Sequence, residues 1–176
     1  IEKTKMFSEE EIIEECIKGN RKAEKHLYTK YNGLFFAICL RYTQSREEAE
    51  DVLITGFTSI FESLPMYKKQ GSFEGWMKRI IINTAVNHYR TNKKHLSNID
   101  IEEIDTINEI SQKSYQDINV KDILNQIQMM PEGYKQVFNL FAIEGYKHTE
   151  IAEMLHIAES TSKSQYAKAK KWLQRR

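Results

Sequence analysis

The residues with the most evident chemistry lie near the end of the chain, in "ESTSKSQYAKAKKWL". Four small hydroxyl residues, Ser160, Thr161, Ser162 and Ser164, fall within five positions, and Lys163, Lys168, Lys170 and Lys171 follow with no acid after Glu159. At helical spacing Ser162, Tyr166, Ala169 and Leu173 share one stripe, which leaves Ser160, Lys163, Ser164, Ala167, Lys168 and Lys171 outward. Short hydroxyls at the positive end of a helix dipole suit close approach to phosphate and base edges, and later lysines can track a phosphate backbone. Gln165 sits beside this face, and its amide matches the bidentate pairing that reads adenine. The preceding "TEIAEML" and "HIA" complete a helix, a three-residue turn and a second helix, the layout of a helix-turn-helix. The plainer alternative is a solvated amphipathic helix whose C-terminal cations answer its own dipole.

A second candidate face lies in "GSFEGWMKRIIINTAVNHYRTNKK". Phe73, Met77, Ile80, Thr84 and His88 fall on one side of a helix and read as its packed face. Trp76, Arg79, Asn83, Arg90 and Lys94 form the neighbouring stripe, with Lys68 and Lys69 in the loop before it. An aromatic ring beside amide and guanidinium donors is what holding an unpaired base requires. The competing reading makes Trp76 a core residue and leaves the polar ones merely solvated.

These faces need long helices, and the composition supplies them. Among 176 residues there are only 7 Gly and 2 Pro, too few turn-formers for a many-stranded sheet. With 40% hydrophobic and 29% charged residues, the chain reads as a globular protein with one or two domains. Ser8 with Glu11 and Ser45 with Glu48 have the form of capping boxes, Asn20 and Ser72 are further N-cap candidates, and Gly19 and Pro65 are stop signals. Leu27, Tyr31, Leu34, Phe35 and Ile38 recur at helical spacing and are expected to pack.

Residues 96–118 change in character, with six acids against one lysine and no steady apolar period. The expected fold is therefore all-α: a first helical bundle over 1–95, an acidic linker over 96–118, and a second bundle over 119–176 ending in the helix-turn-helix. The net charge of +1 conceals this sorting of charge by segment.

Cys16 and Cys39 have no companion at metal-ligand spacing and read as buried free thiols of a reducing compartment. No apolar run reaches membrane-span length and no signal-peptide pattern opens the chain, so a cytoplasmic protein without membrane insertion is expected. Residue 1 is Ile, which suggests that the numbered chain begins inside a longer one.

Four fragments, "AEDVLITGF", "GSFEGWMKRIIINTAVNHYR", "MMPEGYKQVFNLFAIEGYKHTEIAEML" and "ESTSKSQYAKAKKWL", resemble in order the extracytoplasmic-function sigma factors of bacterial RNA polymerase. The resemblance implies that the first bundle is region 2, which binds the polymerase clamp and opens the −10 promoter element. It implies that the second is region 4, which binds the polymerase flap and reads the −35 element. Partners implied are the RNA polymerase core, promoter DNA and an anti-sigma factor, with the acidic linker running near the RNA path.

Residue by residue, Asp51 matches the acid of the polymerase-binding helix, and Asp51, Thr55 and Thr58 face away from the apolar side of their helix. Ile54 and Thr55 stand where the family usually has Gln and Glu. For the −10 element, Asn83 matches a base-pocket residue, and 69–73, with Lys69, Ser72 and Phe73, match the loop that closes it. Trp76, Arg79 and Arg90 accompany them, and Asn87 replaces a frequent Asp. For the −35 element the candidates are Lys163, Ser164, Gln165 and Lys168, with Ser160 at the helix start. His156 and Ala158 replace a common Gly and a common Ser cap in the turn.

Two rivals are weighed. A helix-turn-helix regulator working without polymerase leaves the Asp51 helix and the Trp76 stripe without a purpose. A carboxylate metalloenzyme in a helical bundle needs two Glu-x-x-His pairs and two further Glu, and only Glu153 with His156 is present. No phosphate loop or nucleophile motif occurs, so neither enzyme activity, a cofactor nor a metal is expected.

Overall fold

A computed structural model describes residues 8–97 and 120–175. Among them no strand occurs. The helices are α1 (Glu9–Ile17), α2 (Arg21–Tyr42), α3 (Arg46–Ser63), α4 (Phe73–Ser97), α5 (Val120–Gln128), α6 (Glu132–Phe138), α7 (His148–Leu155) and α8 (Glu159–Gln174). A short 3₁₀ turn, Leu64–Met66, follows α3, and α6 continues into a π turn, Asn139–Ile143. Most of the acidic stretch expected as a linker lies outside the described residues.

Local chemistry explains the starts of the first four helices. The Ser8 hydroxyl accepts from the Glu11 amide while Glu11 reaches back to the Ser8 amide, and Ser45 accepts from Glu48 N. Asn20 accepts from Lys22 N, and Ser72 from Gly75 N. Each cap satisfies a donor that a helix start otherwise leaves open.

The first bundle packs α2, α3 and α4 together, with α1 laid on by Ile12, Ile13 and Cys16. Its centre is aromatic: Phe57 meets Tyr28 at 4.7 Å and Phe35 at 5.7 Å between ring centroids. Gly56 lets α3 approach α4 closely, since a β-carbon there would stand 2.5 Å from Ile81 Cδ1. In the second bundle α6, α7 and α8 enclose Val137, Leu140, Ile151 and Ala169, and Phe141 stacks on the His148 ring at 4.3 Å.

Two helix faces depart from the expectation. Leu34 is 45% exposed and lies off the buried stripe of α2. On α4 the packed residues are Phe73, Met77, Ile81, Ile82, Ala85, Val86 and Tyr89, an arc rotated from the expected one. Ile80, Thr84 and His88 sit at its edge; the Thr84 hydroxyl donates to Ile80 O, and the His88 ring accepts from Asn92. The arc is broad because α4 is covered by both α2 and α3.

The two bundles are joined directly as well as through the chain. Asn139 Nδ2 donates to Arg41 O at 2.7 Å, Gln136 Nε2 to Tyr42 O at 2.8 Å, and Lys135 Nζ to Thr43 O at 3.0 Å. Every helix leaves its last carbonyls without partners, and here three consecutive ones at the end of α2 are taken by side chains of the second bundle. Lys135, Gln136 and Asn139 are fully buried by this contact. Burial holds the Lys135 ammonium below the usual lysine range.

Candidate nucleic-acid interface

On α4 the residues Arg79, Asn83 and Asn87 recur every four positions and are all exposed, so they form one outward row. Arg90 extends the row; its guanidinium donates to Asn87 Oδ1 at 3.2 Å and to His156 Nδ1 at 3.3 Å. Trp76 is half-buried at the head of the row, between Tyr67 at 4.9 Å and Phe73 at 5.8 Å. Its ring packs against the core and keeps some exposure, so the core reading holds.

Phe73 is a correction. It is only 1% exposed and belongs to the core beneath Trp76 and Tyr67, so it supports the loop and presents nothing to a base. Phe73 is the first residue of α4, and its burial fixes the entry of the chain into the helix. Ser72 remains at the surface, its hydroxyl occupied by the cap. Lys69 is exposed in a left-handed conformation, φ 54°, with its ammonium 3.9 Å from Glu10.

On α8 the inward stripe is as expected: Ser162 and Ala169 are buried, Tyr166 and Leu173 half-buried. Ser162 Oγ lies 2.9 Å from His148 Nδ1, a hydrogen bond that fastens α8 to α7. Ser160, Lys163, Ser164 and Lys168 are exposed together on the outer face. Lys163 pairs with Glu159 at 2.6 Å, a bond that holds the Glu159 carboxyl below its usual range. Ser164 donates to Thr161 O, and the Lys168 ammonium stands 5.7 Å from the Tyr134 ring. Gln165 turns inward: its carbonyl oxygen is buried near Gly133 and has no hydrogen-bond partner.

His156, in the turn, adopts a left-handed conformation at φ 54° and ψ 48°. Glycine reaches that region without the β-carbon clash, which explains why the resemblance led to glycine there. Ala158 has the extended backbone of an N-cap residue and offers no side-chain acceptor.

A third face lies on α3, where Asp51, Ile54, Thr55 and Thr58 are all exposed, Ile54 at 60%. Beside it Tyr28, Phe36, Leu53 and Ile54 line a shallow groove between α2 and α3, with the Arg46 guanidinium over the Phe36 ring at 5.0 Å. Sequence reasoning did not single out Tyr28 or Phe36, whose spacing matches that of ordinary core positions. Among the described residues no cluster of His, Cys, Asp and Glu is arranged to hold a metal, and no helix is long and apolar enough to cross a membrane.

Fold and faces together describe an all-α protein of two bundles whose C-terminal one is a helix-turn-helix. The family descriptions "Sigma-70 region 2" and "Sigma-70, region 4" match residues 27–95 and 121–173. The chain is 23% identical to the ECF RNA polymerase sigma-E factor of Haemophilus influenzae over 96% of its own length and 94% of the relative's. It is 22% identical to the RNA polymerase sigma-H factor of Pseudomonas aeruginosa, covering 92% and 90% of the two chains. In fold it is similar to the sigma factor RpoE from Bartonella quintana, solved with the anti-sigma factor NepR, at a TM-score of 0.52, 17% identity and coverage of 86% and 94%. The chain belongs to the sigma-70 family, in its extracytoplasmic-function group.

Proposed function

We propose that this sigma factor divides promoter recognition between the outward row of α4 and the outer face of α8, with the α3 face docked on polymerase. As a sigma factor it directs promoter recognition and transcription initiation by the RNA polymerase core. The observation that carries the division of roles is that the region 4 match holds the exposed face of α8, while the region 2 match holds the exposed α3 face and the α4 row. In this reading Lys69, Ser72, Trp76, Arg79, Asn83, Asn87 and Arg90 meet the −10 element. Ser160, Lys163, Ser164 and Lys168 meet the −35 element, and Gln165 joins them once its side chain rotates outward. Asp51, Ile54, Thr55 and Thr58 contact polymerase, Ile54 giving the contact an apolar centre.

The division of the chain at 1–95, 96–118 and 119–176 belongs to the same proposal. So do an anti-sigma partner, suggested by the complex of the Bartonella quintana protein, and a cytoplasmic site of action without enzymatic activity of its own. Sigma factors in general are not enzymes.

Run-off transcription with core polymerase and a random-promoter library tests the whole. Selected templates should share a −35 and a −10 motif, and absence of initiation with any template would overturn the reading. Within the assay Lys163→Ala and Lys168→Ala should weaken −35-dependent promoters, and their phosphate contacts should make binding fall steeply with salt. Asn83→Ala should impair melting while −35 duplex binding stays intact; equal loss of both steps would contradict the split.

A further inference from the structure

The loop between the π turn and α7 places one carboxylate between two cations of the first bundle. Glu144 Oε1 receives Arg41 Nη2 at 2.6 Å, and Glu144 Oε2 receives Lys78 Nζ at 2.7 Å. The Glu144 side chain is 3% exposed, whereas those of Arg41 and Lys78 are 19% and 39% exposed. The anion is thus interred and the cations stand at the mouth. Its backbone is held as well: Glu144 N donates to Asn139 O, Gly145 turns at φ 79°, and Tyr146 N donates to Leu140 O.

Lys78 is next to Arg79, the first cation of the outward row on α4. Gly75, Lys78 and Arg79 form one wall of a cleft whose other wall is Gly145, Tyr146 and Glu150. At the far end of the row Arg90 is bonded to His156 of the turn. The second bundle therefore touches α4 beside the row at Lys78 and on it at Arg90, about 18 Å apart along the helix at 1.5 Å per residue.

We propose that Arg41 and Lys78 form a phosphate-binding pair for nucleic acid, occupied in this closed arrangement by the Glu144 carboxylate of the same chain. Each Glu144 oxygen meets one cation, as two non-bridging oxygens of a backbone phosphate would. Such an exchange costs little, because the cations pass from one anion to another and neither is left unpaired. The remaining contacts between the bundles are Lys135, Gln136 and Asn139 on backbone carbonyls, which water can replace, and the apolar core that Val137, Leu140, Ile151 and Leu155 share with the first bundle, which sets the main cost of separation. Nucleic acid and the second bundle then compete for the same two side chains. The inference rests on the reading that the outward row of α4 meets promoter DNA.

The test uses the full chain, a fluorescein-labelled oligothymidylate and anisotropy titrations over a range of salt. Glu144→Gln should bind on the order of tenfold more tightly, within the usual range for coupled sites. Two newly available phosphate contacts should steepen the dependence of log K on log salt by about 1.4, at about 0.7 per phosphate for a single strand. Adding Lys78→Ala or Arg41→Ala to Glu144→Gln should remove most of the gain. Glu14→Gln, at an exposed position on α1, controls for the loss of one negative charge, and Glu144→Ala provides a second variant if Glu144→Gln melts abnormally by circular dichroism. Equal affinity and equal salt slope for the position-144 variants and Glu14→Gln would overturn the proposal. In that event run-off transcription by the unaltered chain still decides the sigma reading separately.

Discussion

Gly56 sets the separation of α3 and α4, and a double-mutant cycle with Ile81 measures how tightly. In Gly56→Ala the new β-carbon would lie 2.5 Å from Ile81 Cδ1, with the next atoms, Ile81 Cγ1 and Cα, at 3.7 and 3.8 Å. Carbon atoms rest at about 3.5 to 4.0 Å, so the clash is confined to a single methyl. Ile81 is fully buried, and displacing its methyl in a packed core costs about 1 to 3 kcal/mol. Alanine in a helix interior returns about 1 kcal/mol over glycine. The single variant should therefore be between neutral and about 2 kcal/mol less stable. Ile81→Val removes the clashing methyl and by itself should cost about 0.5 to 1.5 kcal/mol. In the Ile81→Val background the alanine methyl meets only ordinary contacts, so Gly56→Ala should become stabilising by about 1 kcal/mol, and the two changes should couple favourably by about 1 to 3 kcal/mol. Urea titrations followed by circular dichroism and tryptophan fluorescence give the values, provided the transitions coincide and the slopes are unchanged. Additive effects, or a stabilising Gly56→Ala with Ile81 present, would refute the reasoning. The consequence reaches function, because α3 carries the Asp51 face and α4 the Arg79 row.

Two further outcomes are expected. Ala158→Ser should stabilise the helix-turn-helix by about 1 kcal/mol in thermal melts, since the backbone is already extended and only the acceptor is missing; no gain would show that the α8 start is satisfied in another way. Burial pushes the Cys16 thiol up to about 11 and that of Cys39 up to about 12. Both should resist a disulfide reagent at mildly alkaline pH until denaturant is added, and a fast native reaction would contradict their burial. The sign of the linked pH effect follows: below the ordinary thiol value of 9.0 both states keep the proton, and above it the unfolded chain releases protons that the native one retains. Stability should therefore decline through the window from 9.0 to about 12.

The parts legible in the sequence are those decided by a few neighbouring residues. Ser8, Asn20, Ser45 and Ser72 cap because a cap needs one acceptor and the next few amides, all adjacent in the chain. The inward stripe of α8 is legible for the same reason, its small and aromatic positions keeping one period. Leu34 and the α4 arc escape such reasoning because periodicity gives the width of an apolar stripe and not the angle at which neighbours cover it. Phe73 shows the contrast: periodicity put it on the packed face, where it is, whereas the loop resemblance locates a segment and does not say which of its side chains turn inward.

The contact between the bundles is the least legible feature, since it hides in residues that look like solvated surface. Lys135, Gln136 and Asn139 keep a spacing that places them on one side of a helix turn. Nothing local shows that this side faces three unpaired carbonyls at the end of α2. Within the second bundle Gln165 is in an unfavourable position: a buried amide oxygen without a partner costs about 1 to 3 kcal/mol, and its oxygen is in that condition against α6. Turning outward would relieve that cost, which supports the proposal that Gln165 joins the −35 face when its side chain rotates. The same logic governs Glu144 in reverse, since its burial is stable only while Arg41 and Lys78 remain its partners. In the proposed competition Arg41 and Lys78 exchange one anion for another, while the polar contacts at the α2 terminus and the core shared by the two bundles set the opposing cost.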